Sequence, residues 1–187
     1  MGLVHPHGGQ QPAVHLESES PPPESEAIGL PPEVHGLLAK IMEAASRGNY
    51  DQALALSRRN DGQIPEIVNA RGVCLLRQGK YQEAVTLFRN LTLQPGCTWM
   101  RKDRPVHHKT NFATALLLGG HPSGCLEILH ELGQPGPPVA AKLRQAIRQW
   151  ESTLGWGPWL DWKITGVEPS HAPVHLDFPP GDFGPDL

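Results

Sequence analysis

The sequence predicts an all-α protein built from antiparallel helical hairpins, and three observations carry that prediction. Apolar residues recur at three- and four-residue intervals through the middle of the chain, as one face of a helix requires. Glycine-containing breaks interrupt them at 48–49, 78–79, 95–96 and 119–120. Between the breaks, no stretch alternates as a half-buried strand does.

The first helix is expected over about 33–47, where Val34, Leu37, Leu38, Ile41, Met42 and Ala45 share one face. Gly48-Asn49 ends it, glycine being suited to the left-handed conformation of a helix terminus. A shorter helix follows at 51–60 with Ala53, Leu54 and Leu56. The next pair is expected at 65–78 (Val68, Val73, Leu75, Leu76) and 81–93 (Tyr81, Ala84, Val85, Phe88, Leu91), until Pro95-Gly96. Residues 108–118 and 122–132 form a third pair across Gly119-Gly120, with Pro122 at a first helical position, where its missing N–H costs nothing. A seventh helix, 137–154, carries Val139, Leu143, Ala146, Ile147, Trp150 and Leu154 on one stripe.

Composition divides the 187 residues into a middle and two flanks. Residues 1–31 hold four glutamates, no Lys or Arg and a proline triplet, so a disordered acidic arm is expected there. Residues 157–187 hold five acids against Lys163 alone, and with a whole-chain charge of −3 the middle, 32–156, is left at about +5. The N-terminus lacks the basic start and apolar run of a signal peptide, and no apolar run is long enough for a membrane helix. Cys74, Cys97 and Cys125 are odd in number and widely spaced, unlike a disulfide framework. A cytoplasmic protein without membrane contact is expected.

The hinges repeat. Gly48-Asn49-Tyr50-Asp51-Gln52-Ala53 aligns with Gly79-Lys80-Tyr81-Gln82-Glu83-Ala84, and more weakly with Gly120-His121-Pro122-Ser123-Gly124-Cys125. In each, glycine reverses the chain and the last, small residue lets two helix backbones approach. On these residues the chain resembles the tetratricopeptide repeat family. The second unit matches best, with Gly72 at the family's small position of the first helix and Ala84, Phe88 and Pro95 at its Ala, Phe and terminal Pro, the Pro one residue early. Val68, Arg71 and Leu75 depart from the family's Trp, Leu and Tyr. The hinges stand 31 and then 41 residues apart, the excess being an inserted loop from Cys97 to about His107. About three pairs plus a capping helix are expected.

The resemblance implies a protein–protein adaptor or scaffold that is not an enzyme. It would bind a peptide or protein segment in a groove lined by the first helix of each pair. In this register the groove side offers His35, Leu38, Met42 and Ala45, then Glu66, Asn69, Val73 and Leu76, then His107, Thr110 and Thr114 beside Asn111. Amide side chains both donate to and accept from a peptide backbone, which makes Asn69 and Asn111 the leading candidates. Glu66, Met42, Leu76, His107 and Thr110 stand with them. Leu38 and Met42 occupy the places where chaperone-binding family members keep a Lys and an Asn for a C-terminal carboxylate, so a mixed apolar groove is expected instead.

Two other functions compete. Residues 98–109 hold four basic residues, one acid and Trp99, a mixture that can bind nucleic acid through phosphates and stacking. It equally suits a solvated loop whose Trp99 packs on the repeat. His121, Cys125 and His130 share one helix, with Cys97, His107 and His108 nearby, which raises a metal or thiol enzyme. Yet Cys125 fills the small slot of the third hinge, and His130 lies nine residues from His121, on the opposite side of the helix. No nucleophile-elbow, phosphate-loop, metalloprotease or dinucleotide motif occurs, so no catalytic residue, metal ligand or cofactor is assigned.

The tail from 157 is the remaining puzzle. Gly155, Gly157 and Pro158 argue against a helix around Trp156, Trp159 and Trp162. So much aromatic area is costly to leave wet. The three tryptophans are expected to pack near Trp150 and Leu154, with Leu176–Phe178 running back along the repeats; the docked tail would cover the chain's own cap or groove, or else a partner.

Overall fold

The computed structural model describes residues 30–59, 64–169 and 172–184; all but two residues of the expected N-terminal arm lie outside these. Among the described residues there are eight helices and no strand. They are α1 (Pro32–Ser46), α2 (Tyr50–Ser57), α3 (Pro65–Arg77), α4 (Tyr81–Thr92), α5 (Val106–Leu118), α6 (Pro122–Glu131), α7 (Pro138–Thr153) and α8 (Trp156–Thr165). Through α6 each helix packs on its successor, while α1, α3, α5 and α7 also touch in series. The odd-numbered helices therefore form one layer of a hairpin array.

The three hinges are built alike. Gly48, Gly79 and Gly120 have φ of 74°, 74° and 87°. In each the residue after glycine donates its N–H five residues back, Asn49 to Ala44 (2.9 Å), Lys80 to Leu75 (2.9 Å) and His121 to Leu116 (2.8 Å). The glycine N–H bonds inside that loop, to Ala45, Leu76 and Leu117. This paired pattern satisfies carbonyls that a helix end otherwise leaves open, and it needs the positive φ that glycine supplies.

Packing follows the same repeat. Ala53, Ala84 and Cys125, the small residues of the three hinges, are all fully buried. Gly72 lies against the Phe88 ring, so that a Cβ there would stand 2.7 Å from Cε2 and nearer still to Cζ. Arg71 ties α3 to the end of α2 by donating to the Ser57 carbonyl (2.6 Å) and hydroxyl (3.2 Å). The inserted loop is pinned by an antiparallel bridge between Leu93 and Met100 and by Arg104 donating to the Leu91 carbonyl (3.1 Å).

Helix α8 corrects the sequence reading. Gly155 serves as N-cap and Pro158 is its third residue, where the N–H has no intrahelical acceptor and the ring meets no preceding turn. Residues taken as breakers therefore start the helix. Gly166, at φ 72°, ends it. All three tryptophans were also expected to pack near Trp150 and Leu154; Trp162 does, edge-on to Trp150 with ring centroids 5.0 Å apart. Trp156 and Trp159 are 78% and 37% exposed. Residues three apart drift about 60° backwards around a helix per step, so three such positions cannot share one contact line.

Candidate functional site

Helices α3 and α5 place Asn69, Val73 and Arg77 on one stripe and His107, Thr110 and Asn111 on its neighbour. The tail reaches this face by a fixed route. After Gly166, Glu168 accepts from the Ser123 N–H (3.0 Å) and approaches His121 Nδ1 (3.2 Å), capping α6, whose own N-cap residue makes no side-chain cap bond. Trp150 Nε1 then donates to the Ala172 carbonyl (2.6 Å), Val174 is buried, and Lys142 Nζ lies 5.3 Å from the Phe178 ring centroid.

Pro180–Gly184 is the segment held in the groove. Asn111 Oδ1 accepts from the Asp182 N–H (2.8 Å), while its Nδ2 donates to the Asp182 carbonyl (2.6 Å). One side-chain amide thus pairs with both polar groups of one peptide residue, as a neighbouring β-strand would. Asn111 Nδ2 also donates to Asn69 Oδ1 (2.7 Å), which turns the Asn69 Nδ2 toward the carbonyls of Asp182 (3.1 Å) and Phe183 (3.2 Å). The mutual bond fixes both amide orientations.

Arg77 extends the clamp. Its Nε donates to the Pro180 carbonyl (3.2 Å) and its Nη2 to the Gly181 carbonyl (3.3 Å), and its guanidinium carbon lies 4.8 Å from the Phe183 ring centroid. Gly181 lies on Val73 and Leu76, and Gly184 on the His107 ring.

The other candidates divide. Leu76 and His107 meet the tail, and Thr110 lines a cleft with Phe178 and Asp182. The Thr110 hydroxyl itself is spent on the His107 carbonyl (3.0 Å). Glu66 is half-buried on α3, with its carboxylate close enough to act on His107. Met42 is half-buried on α1, and no hydrogen bond from the described tail residues reaches that helix. The tail docks, with Phe178 from the expected Leu176–Phe178 stretch entering the cleft beside Thr110 and Lys142, while the hydrogen bonds in the groove fall on Pro180–Gly184. Two residues escaped sequence reasoning. Arg77 lies four residues beyond Val73 on the Asn69 stripe, so the period signals it; nothing local signals Glu168.

Burial controls the titratable groups. It lowers the His107 pKa, against the carboxylates of Asp182 and Glu66. It pushes the fully buried His108 down to about 3, aided by His107 and Arg104. Neither His108 ring nitrogen has a hydrogen-bond partner among the described residues. Burial raises the Cys74 and Cys125 thiols to about 11 and about 12, so both stay protonated at neutral pH. In the basic loop Arg101 pairs with Asp103 (3.2 Å), and Trp99 is 73% exposed where packing on the repeat was the expected alternative to nucleic-acid contact; Met100 turns inward in its place.

Among the described residues, no helix is long and apolar enough to cross a membrane. Comparison with family models, curated proteins and solved structures finds no match to this chain.

Proposed function

We propose that this chain is an adaptor of the tetratricopeptide kind that holds an extended segment of another protein in the α3–α5 groove. The observation that supports the reading is the Asn69–Asn111 pair. Both amides are almost fully buried, and they spend their remaining hydrogen bonds on polypeptide backbone. Buried amides are costly without partners, and an extended main chain presents donor and acceptor at the required spacing whatever its side chains. In this chain the tail supplies that main chain.

The test uses the full-length chain with its tail unseated by G181V and G184V, titrated with a synthetic peptide of Val174–Gly184. Saturable binding is expected, weakened at least ten-fold when N111A is added to the same background, which corresponds to about 1.4 kcal/mol. Binding indifferent to Asn111, or no binding by a chain with native circular dichroism, would refute the reading.

A further inference from the structure

The tail does more than fill the groove; it shows what the groove selects. We infer that the partner segment carries a Pro-Pro-Gly-x-aromatic-Gly pattern like residues 179–184, with an acid or its amide at x, and that the chain's own tail is a competitor which such a segment displaces. The inference rests on the groove being a peptide site.

Each position of the pattern has its own physical reason. Gly181 has φ 81°, and a Cβ there would lie 3.0 Å and 3.1 Å from the two Val73 methyls and 3.3 Å from Leu76 Cδ1. Val73 and Leu76 are themselves buried and cannot retreat. Gly184 has φ 111°, and its Cβ would lie 2.9 Å from His107 Nε2. Gly181 thus excludes a side chain by conformation and by space, and Gly184 by conformation, with the His107 ring tip close behind it. Between them the Phe183 ring stacks on Arg77 while that guanidinium holds two tail carbonyls, so an aromatic contact and two hydrogen bonds share one rigid group. Asp182 is different. Its side chain is exposed and its carboxylate accepts the Gly184 N–H (2.9 Å), a local turn that asparagine also makes. Pro179 and Pro180 restrict the free segment, so less entropy is lost on docking.

Competition follows from connectivity. The tail leaves α8 at Thr165 and is tacked down at Glu168 and Ala172 before it reaches the groove. A segment tethered at such short range is present at an effective concentration of about the millimolar order. A free segment of equal intrinsic affinity therefore sees only the small open fraction of grooves, and its apparent affinity falls in proportion.

The experiment measures fluorescence anisotropy of a dye-labelled Val174–Gly184 peptide and its G181A, F183A, G184A and D182N forms. Each is titrated against the wild-type full-length chain and the full-length G181V/G184V chain. The unseated chain should bind the native peptide at least ten-fold more tightly than wild type. On that chain D182N should bind within about three-fold of native, since asparagine keeps the local turn and His107, whose pKa burial lowers, presents no full charge to that side chain at neutral pH. The G181A, F183A and G184A peptides should each bind at least ten-fold more weakly. Equal binding of all peptides would overturn the selectivity while leaving a general peptide groove in place. Equal affinity of wild-type and unseated chains would overturn the competition. Should the unseated chain lose its native circular dichroism, full-length F183A, which loosens the tail without backbone strain, is titrated in its place. A wild-type chain that is dimeric by light scattering and monomeric when unseated would place the tail on a second copy and overturn docking within one chain.

Discussion

Replacing Asn111 by alanine removes three hydrogen bonds, one to Asn69 Oδ1 (2.7 Å) and two to the Asp182 peptide (2.6 and 2.8 Å). At about 0.5–1.5 kcal/mol net for each, the sum is roughly 1.5–4.5 kcal/mol. The molecule has an escape, however. If the tail lets go, Asn69 and Asp182 both regain water, so the loss cannot exceed the free energy of docking the tail plus the small worth of the Asn69–Asn111 bond. The cost of N111A should therefore depend on whether the tail is seated. In the wild-type chain urea denaturation should show a loss of at least about 1.5 kcal/mol. In the full-length G181V/G184V chain the same substitution should cost no more than about 1 kcal/mol, and the difference is the coupling between Asn111 and the tail. An equal cost in both backgrounds would show that Asn111 supports the helices alone, and the clamp argument would be wrong.

Other consequences can be checked on the same material. G72A should destabilise by about 1–3 kcal/mol, because overpacking against the Phe88 ring outweighs a helix-propensity gain of about 1 kcal/mol; F88L in the same chain should recover part of it, by thermal or urea unfolding. His108 has a folded pKa below its unfolded value, so between about pH 6.5 and 3 the unfolded chain binds the extra proton. Its contribution to stability is complete above that window and falls with pH through it, by about 2 kcal/mol from pH 7 to 5; His108→Leu should remove that slope in urea unfolding at the two pH values. W162A should cost about 3 kcal/mol in urea unfolding, since Trp162 is 6% exposed, while W156A should stay within about 0.5 kcal/mol.

What the sequence made legible was whatever repeats or follows a helical period. The Gly48, Gly79 and Gly120 hinges share one hydrogen-bond pattern, so their alignment in sequence carried over directly into geometry. Ala53, Ala84 and Cys125 followed from it as buried small residues. Asn69 and Asn111 stood out because an amide side chain both donates to and accepts from a peptide backbone, and their burial in the groove agrees with that use. The tail was harder to read. Gly157 and Pro158 are breakers inside a helix yet acceptable in a first turn, and which role they play depends on Trp162 finding Trp150. Glu168 caps a helix that ends some 37 residues before it, a contact set by tertiary structure alone. Arg77 was within reach, since it continues the Asn69–Val73 stripe, but a basic residue in a helix's last turn has a sufficient local reason to be there.

The account depends on a polypeptide segment seated on the Asn69–Asn111 pair, and nuclear Overhauser contacts in the isotopically labelled full-length chain test it most directly. The account predicts contacts from the Asn111 side-chain amide to the Asp182 amide proton and from the Val73 methyls to the Gly181 α protons, with the Asp182 amide protected from exchange. Random-coil shifts and fast exchange throughout Pro180–Gly184, with no contact to α3 or α5, would contradict it.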